Sequence, residues 1–288
     1  MEIVLETGFQ VYHRLKRKHF PQLPFQTSLF CPIGVLGPGD LVEITGLSKC
    51  GKTQFLYQCT ANYILYQLES ESYSRELQLV WIDLDWSFDT SRIRVLLQSS
   101  GSTTRFDESQ LSETLDKLQI CHPQDDWQLL LCLSDLQEQI EISGKFYVIF
   151  IDGIGGWQQW NSFTSQVAVL QACFMKLNRL LVNFPVTCLA SVKLQMPLPF
   201  RLKATSGNSE SPPEYLPQPW KQMVSQKLVT FRHKEEKESK ASDVDTFFID
   251  HFTKTDNAER TNLLKGWKLN KQWKMKVTSQ RVLWETLS

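Results

Sequence analysis

Residues 46–53 read GLSKCGKT: a glycine, four variable positions, then Gly51, Lys52 and Thr53. Glycines at both ends let the backbone curl until successive N–H groups face one point, a nest that suits an anion. At this spacing the anion is the phosphate chain of a nucleotide: Lys52 brings positive charge to the β and γ oxygens, and Thr53 offers its hydroxyl to a magnesium ion. Gly46 opens the loop, Leu47 and Ser48 continue it, and Lys49 and Cys50 fill variable positions that shape it. The flanks agree. LVEIT (41–45) alternates apolar and polar residues and reads as a strand. Gln54–Leu68 places Phe55, Leu56, Cys59, Tyr63 and Ile64 at helical spacing. The positive N-terminus of such a helix points at the same phosphates. ATP and Mg2+ are the expected ligands.

Working outward, Leu79–Leu84 (LVWIDL) reads as a buried strand, with Asp83 and Asp85 at its exit and two residues apart, so on one face. A carboxylate there can orient water for attack on a γ-phosphate; aspartates also end strands for no chemical reason. Asp89 can cap a helix carrying Ile93, Leu96 and Leu97. Helices are expected over 107–118 and 126–142, with a short strand near Leu118–Cys121 between them. The continuous apolar run YVIFI (147–151) marks a central parallel strand. Asp152 ends it, placed either to hold magnesium through water or to cap the next helix. A helix over about 164–183 and a strand at Val186–Ser191 follow. Strands alternating with helices predict an α/β fold, its sheet mostly parallel and covered on both faces. The pattern breaks at 195–219, where Pro197, Pro199, Pro212, Pro213, Pro217 and Pro219 mark a long loop. Beyond it the period becomes two. Lys227–Phe231, Thr246–Phe252, Trp273–Val277 and Arg281–Glu285 read as strands of a β-rich C-terminal end that extends one edge of the sheet.

Composition bounds the function. Of 288 residues 42% are hydrophobic and 22% charged, enough for a sizeable core. Lys plus Arg equal Asp plus Glu at 31 each, so the net charge is zero. An autonomous nucleic-acid binder carries a basic excess; DNA contact by this chain is expected to be local or shared with partners. Seven cysteines form no CxxC pair and show no zinc spacing, which fits free thiols in a reducing compartment. No signal peptide and no apolar run of membrane length is present, so a soluble intracellular protein without membrane contact is expected. Residues 1–34 read as an adaptor segment ahead of a core at 35–288. They hold a possible helix at Gly8–Phe20, a basic cluster (Arg14, Lys16, Arg17, Lys18) and a connector with Pro21, Pro24 and Pro32. The cluster suits a localisation signal, a DNA contact or a solvated face. The stretch Lys265–Arg281 holds six cations and no acid, with Trp267 and Trp273 interleaved. It suits single-stranded nucleic acid, or a hairpin whose tryptophans face the core while lysines guard an edge strand.

The order of elements resembles the RecA-type recombinases and, within them, the eukaryotic strand-exchange recombinase paralogues. The likeness spans about 35–285. It rests on GDLVEITG (39–46), GKTQFLYQ (51–58), WIDLD (81–85), FDTSRI (88–93), YVIFID (147–152) and WKQMV (220–224), with a weaker match of ETG followed by RL over 6–15. The resemblance implies a RecA-like core and a nuclear role in homologous-recombination repair of DNA double-strand breaks. It also implies a hetero-oligomer with other recombinase paralogues and weak contact with single-stranded or branched DNA. Asp85 matches the catalytic glutamate of active recombinases but is one methylene shorter. Lys193 stands where the family has a glutamine that senses the γ-phosphate. Both departures imply at most a weak DNA-dependent ATPase. Arg92 matches the arginine that packs on adenine; as a bare residue it reads as an exposed helix position. Gly153–Phe163 and 195–219 match the family's two DNA loops, the second holding only Arg201 and Lys203 as cations. The linker signature for self-polymerisation, Phe-x-x-Ala, is missing after Phe9, Phe20, Phe25 and Phe30. The alternatives are a stand-alone P-loop ATPase or nucleotide kinase, and a non-hydrolysing scaffold with structural nucleotide. A kinase lid would converge several arginines on the phosphates, and the 195–219 loop has one.

Overall fold

The computed structural model describes residues 36–69, 77–99, 108–155, 163–193, 216–232, 245–254, 267–278 and 282–287. The adaptor at 1–34, residues 156–162 of the first expected DNA loop and residues 195–215 of the second lie outside them. So do Lys265 and Arg281 and the side chains of Trp267 and Lys268.

The apolar runs become the strands β1 (Leu41–Gly46), β2 (Leu77–Asp83), β3 (Gln119–Cys121), β4 (Phe146–Ile154) and β5 (Val186–Lys193). The C-terminal end supplies β6 (Gln226–Phe231), β7 (Asp245–Lys254), β8 (Trp267–Val277) and β9 (Val282–Leu287). They form one sheet in the order β3-β2-β4-β5-β1-β6-β7-β8-β9. From β3 to β6 neighbouring strands run parallel; from β6 to β9 they run antiparallel. The expected edge extension is therefore present, with β6 joining the parallel part beside β1.

The helices are α1 (Lys52–Glu69), α2 (Thr90–Ser99), α3 (Glu108–Asp116), α4 (Asp126–Ser143), α5 (Phe163–Asn183) and the short α6 (Gln218–Met223). Asp89 caps α2 as its sequence position suggested, accepting from the Ser91 N–H at 2.9 Å. Asp125 does the same for α4 by accepting from the Gln128 N–H, and Gly144 closes that helix in the left-handed conformation. Pro219 sits in the first turn of α6, where its missing N–H costs nothing. The loop reading of 195–219 had run into this helix.

Two apolar clusters sandwich the sheet. One joins α1 and α2 to the face bearing Trp81 and Phe150, and includes Phe247, Ile249, Trp273, Met275 and Val277 from the C-terminal strands. The other joins α4, α5 and Trp220 of α6 to the opposite face. Burial of Trp273 and Met275 at 2% and 0% exposure removes the base-stacking reading for Trp273. The edge-guarding reading holds only in part: β9 pairs outside Gln272–Val277 of β8, so Lys274 and Lys276 do not lie on an edge, whereas Lys268 and Lys271 lie beyond that pairing. Lys274 instead lies 5.8 Å from the centre of the Phe248 ring. No helix among the described residues is long and apolar enough to cross a membrane.

All of β1 is buried, polar residues included. The alternation in LVEIT was a sign of pairing rather than of a wet face. Glu43 forms a 3.0 Å ion pair with buried Lys227 of β6 and accepts from Trp220 Nε1 at 2.7 Å. Removing one partner of such a pair leaves a buried charge, at a cost of about 3–5 kcal/mol. The pair thus pins α6 and β6 to the strand that carries the phosphate loop.

Candidate nucleotide site

The parallel strands β1, β4 and β5 all deliver their C-terminal ends to one crevice. At the end of β1 the loop turns through Lys49 and Gly51, both at positive φ (62° and 80°). Gly51 is confined from below: a Cβ there would fall 2.6 Å from Met275 Cε and 2.9 Å from Phe247 Cδ2. The C-terminal strands therefore form the floor of the loop. Cys50 is buried and Leu47 is exposed, so the variable positions face opposite ways.

Lys52 opens α1 and folds back into the loop. Its Nζ donates to the carbonyls of Gly46 at 2.8 Å and Leu47 at 2.7 Å. Burial lowers the pKa of the ammonium, and the nearby Lys193 charge does so too; Cys50, Asp152 and Asp85 oppose them.

Asp152 lies at the far side of the crevice, 1% exposed. Burial raises its pKa, while the Ser191 and Thr53 hydroxyls favour the ionised form. Ser191 Oγ donates to Oδ1 in a short hydrogen bond and also accepts from the Gly153 N–H at 2.9 Å. Oδ2 has no well-formed hydrogen bond although it is buried. A buried carboxylate oxygen without a partner, next to the Thr53 hydroxyl, is a donor set of hard oxygens that suits Mg2+. Thr53 and Asp152, distant in sequence, are thus brought together as expected, and Ser191 is a supporting residue that the sequence reading missed.

The two aspartates after β2 part company. Asp83 is fully buried and builds the turn: its Oδ1 accepts from the Asp85 N–H at 3.1 Å and its Oδ2 from the Phe88 N–H at 2.7 Å. They do not present a common carboxylate face. The Tyr57 hydroxyl braces the same turn, donating to the Ser87 carbonyl and accepting from the Asp89 N–H, and burial pushes its pKa up to about 12. Asp85 reaches across Gly153, whose φ is 96° and whose Cβ would fall 2.5 Å from Asp85 Cγ. Its Oδ1 forms a 2.6 Å ion pair with Lys193 Nζ. The two residues that the resemblance singled out as departures therefore contact each other directly.

Arg92 is half-buried rather than exposed. Its Nε donates to Gln54 Oε1 and its Nη2 to the Thr278 carbonyl, each at 2.9 Å. It ties α2 to α1 and to the end of β8, beside the mouth of the crevice.

No protein-family model matches the chain. It is 25% identical over 252 residues to the DNA repair protein XRCC2 of Mus musculus, a match covering 82% of this chain and 88% of that protein. It is 31% identical over 116 residues to the DNA repair protein RAD51 homolog 2 of Mus musculus, covering 40% of this chain and 32% of that protein. The resemblance read from the motifs is borne out by these relatives, and with them the mostly parallel sheet and antiparallel C-terminal strands are those of a RecA-like core.

Proposed function

We propose, from a RecA-like core related to recombinase paralogues, that this chain binds ATP with Mg2+ and acts in the nucleus in homologous-recombination repair of DNA double-strand breaks. It works there as one subunit of a hetero-oligomer of recombinase paralogues. The observation that carries this reading is the likeness to a DNA repair protein along most of both chains, coinciding with a phosphate loop whose Lys52, Thr53 and Asp152 converge on one crevice.

In this reading the backbone of Gly46–Gly51 and the Lys52 ammonium bind the β- and γ-phosphates, and Lys52 exchanges its two carbonyls for phosphate oxygens. Thr53 and Asp152 hold the magnesium ion, which neutralises phosphate charge when bound. Arg92 flanks the base. Asp85 is the residue positioned for water, and its pairing with Lys193 keeps hydrolysis slow. Zero net charge fits a subunit that touches single-stranded or branched DNA weakly on its own.

The test is repair of a single induced chromosomal break from a homologous template, in cells lacking the chain. We expect loss of repair, recovery on re-expression, and co-purification of the re-expressed chain with another recombinase paralogue. Normal repair without the chain, or a chain purified only as a monomer or homofilament, would remove the proposal.

A further inference from the structure

Strands β4 and β5 pair residue for residue as far as Ile151 opposite Ala190, and pair again at Ile154 opposite Val192. Between those pairs β4 has two residues, Asp152 and Gly153, and β5 has one, Ser191. The strand is bulged where it reaches the crevice. A bulge re-aims side chains and leaves a backbone group without its ladder partner. Gly153 takes up the extra length at a φ of 96°, which glycine adopts without penalty.

The Gly153 N–H finds its acceptor in Ser191 Oγ at 2.9 Å. The same hydroxyl donates its one proton to Asp152 Oδ1. Ser191 is 1% exposed, so bulk water does not compete for it. From the β2 side the Leu84 N–H donates to the Asp152 carbonyl at 2.9 Å and holds the main chain of the bulge. The result is an unequal carboxylate. Oδ1 is engaged by Ser191, whereas among the described residues the buried Oδ2 has no hydrogen-bond partner. One oxygen is left for a cation. That difference separates the common divalent ions: Mg2+ keeps several waters and takes few carboxylate oxygens beside substrate phosphates, while Ca2+ takes more oxygens and readily binds both of one carboxylate.

Resting on the nucleotide reading above, we propose that Ser191 is a positioning residue of the metal site and sets its selectivity. By engaging Oδ1 it leaves Asp152 a single oxygen for the ion, which suits Mg2+ and disfavours Ca2+. Ser191 acts through Asp152 and is not itself a ligand.

Calorimetric titration of ATP into the full-length chain, in EDTA, in magnesium and in calcium, reads three affinities separately. The parent should bind ATP more tightly with Mg2+ than with Ca2+, and with either ion than without. In Ser191→Ala the gain from Mg2+ should fall about 10-fold, the low end for loss of a residue that orients a metal ligand. The gain from Ca2+ should fall less, so the preference narrows. Affinity for metal-free ATP, which depends on the loop and Lys52, should be unchanged, which marks the variant as folded. On an Asp152→Asn background the same change should add nothing for either ion, because two residues acting through one ligand are not additive. Where Ser191→Ala does not fold, Ser191→Cys, which keeps only a weak donor, is expected to show the same changes. Equal losses with and without metal, an unchanged gain from Mg2+, or a Ca2+ loss as large as the Mg2+ loss would overturn the role of Ser191 and leave nucleotide binding intact. A parent that binds no ATP in any of the three solutions would remove the nucleotide reading itself, and this proposal with it.

Discussion

Lys193 is the residue on which the proposed slow hydrolysis turns. Its ammonium sits 2.6 Å from Asp85 Oδ1, the carboxylate nearest in role to a water-positioning base. An Oδ1 engaged by an ammonium is not free to accept from a water, so the ion pair and the short side chain act in the same direction. We expect Lys193→Gln to raise ATP turnover, with about 10²-fold as the ceiling set by what one positioned base supplies. Phosphate release at saturating magnesium-ATP measures this, and an unchanged rate would show that the pair does not restrain Asp85. Away from the site, His251 of β7 reports on acid stability. Burial first, and then Lys271, lower its pKa from 6.5 to about 4. The ring stacks on Trp273 at 5.6 Å and its Nε2 pairs with Gln226 Oε1. Between those pKa values the unfolded chain binds a proton that the folded chain refuses, so stability rises with pH across that window. Asp126, raised by burial to about 6, works in the opposite sense over part of it. The His251 contribution is therefore read as a difference: the stability of the parent relative to His251→Asn should fall by roughly 3 kcal/mol between pH 6.5 and 4. A pH-independent difference in denaturant unfolding would contradict a buried neutral imidazole.

At the scale of elements, the C-terminal strands matter most for the site. Met275 of β8 and Phe247 of β7 press on Gly51, and Thr278 at the end of β8 holds Arg92. We expect Met275→Ala to cost about 2–5 kcal/mol of stability, as buried methionine truncations do, and to weaken ATP binding although Met275 reaches no phosphate. Loss of stability with ATP affinity intact would mean that the hairpin supports the core without shaping the loop. Periodicity found β6, β7 and β9 to within two residues at each end but only Trp273–Val277 of β8, where Trp273, Met275 and Val277 alternate with lysines. It could not assign β8 an interior place, since only the pairing with β9 decides which strand is the edge. The buried Glu43–Lys227–Trp220 network was hidden for a similar reason. A polar residue in a strand looks solvent-facing until a partner distant in sequence is brought opposite it.

For the whole molecule, the phosphate loop was legible because its chemistry is local: eight consecutive residues carry the nest, the cation and the hydroxyl. The other half of the site was legible only in part. Asp152 could be placed by its strand, whereas Ser191 depends on β4 and β5 lying side by side in register, and the meeting of Asp85 with Lys193 on β2, β4 and β5 doing so in turn. The resulting crevice joins residues from β1, α1, the turn after β2, β4 and β5, with the C-terminal strands beneath. That convergence makes nucleotide binding the claim on which the rest depends. Calorimetric titration of magnesium-ATP into the full chain tests it most directly. We expect saturable binding by the parent, and binding weakened in Lys52→Ala by the loss of a charge-assisted contact on the order of 1.5–3 kcal/mol, about 10- to 100-fold in affinity. Equal affinity of the two proteins, or no heat of binding from the parent, would contradict it.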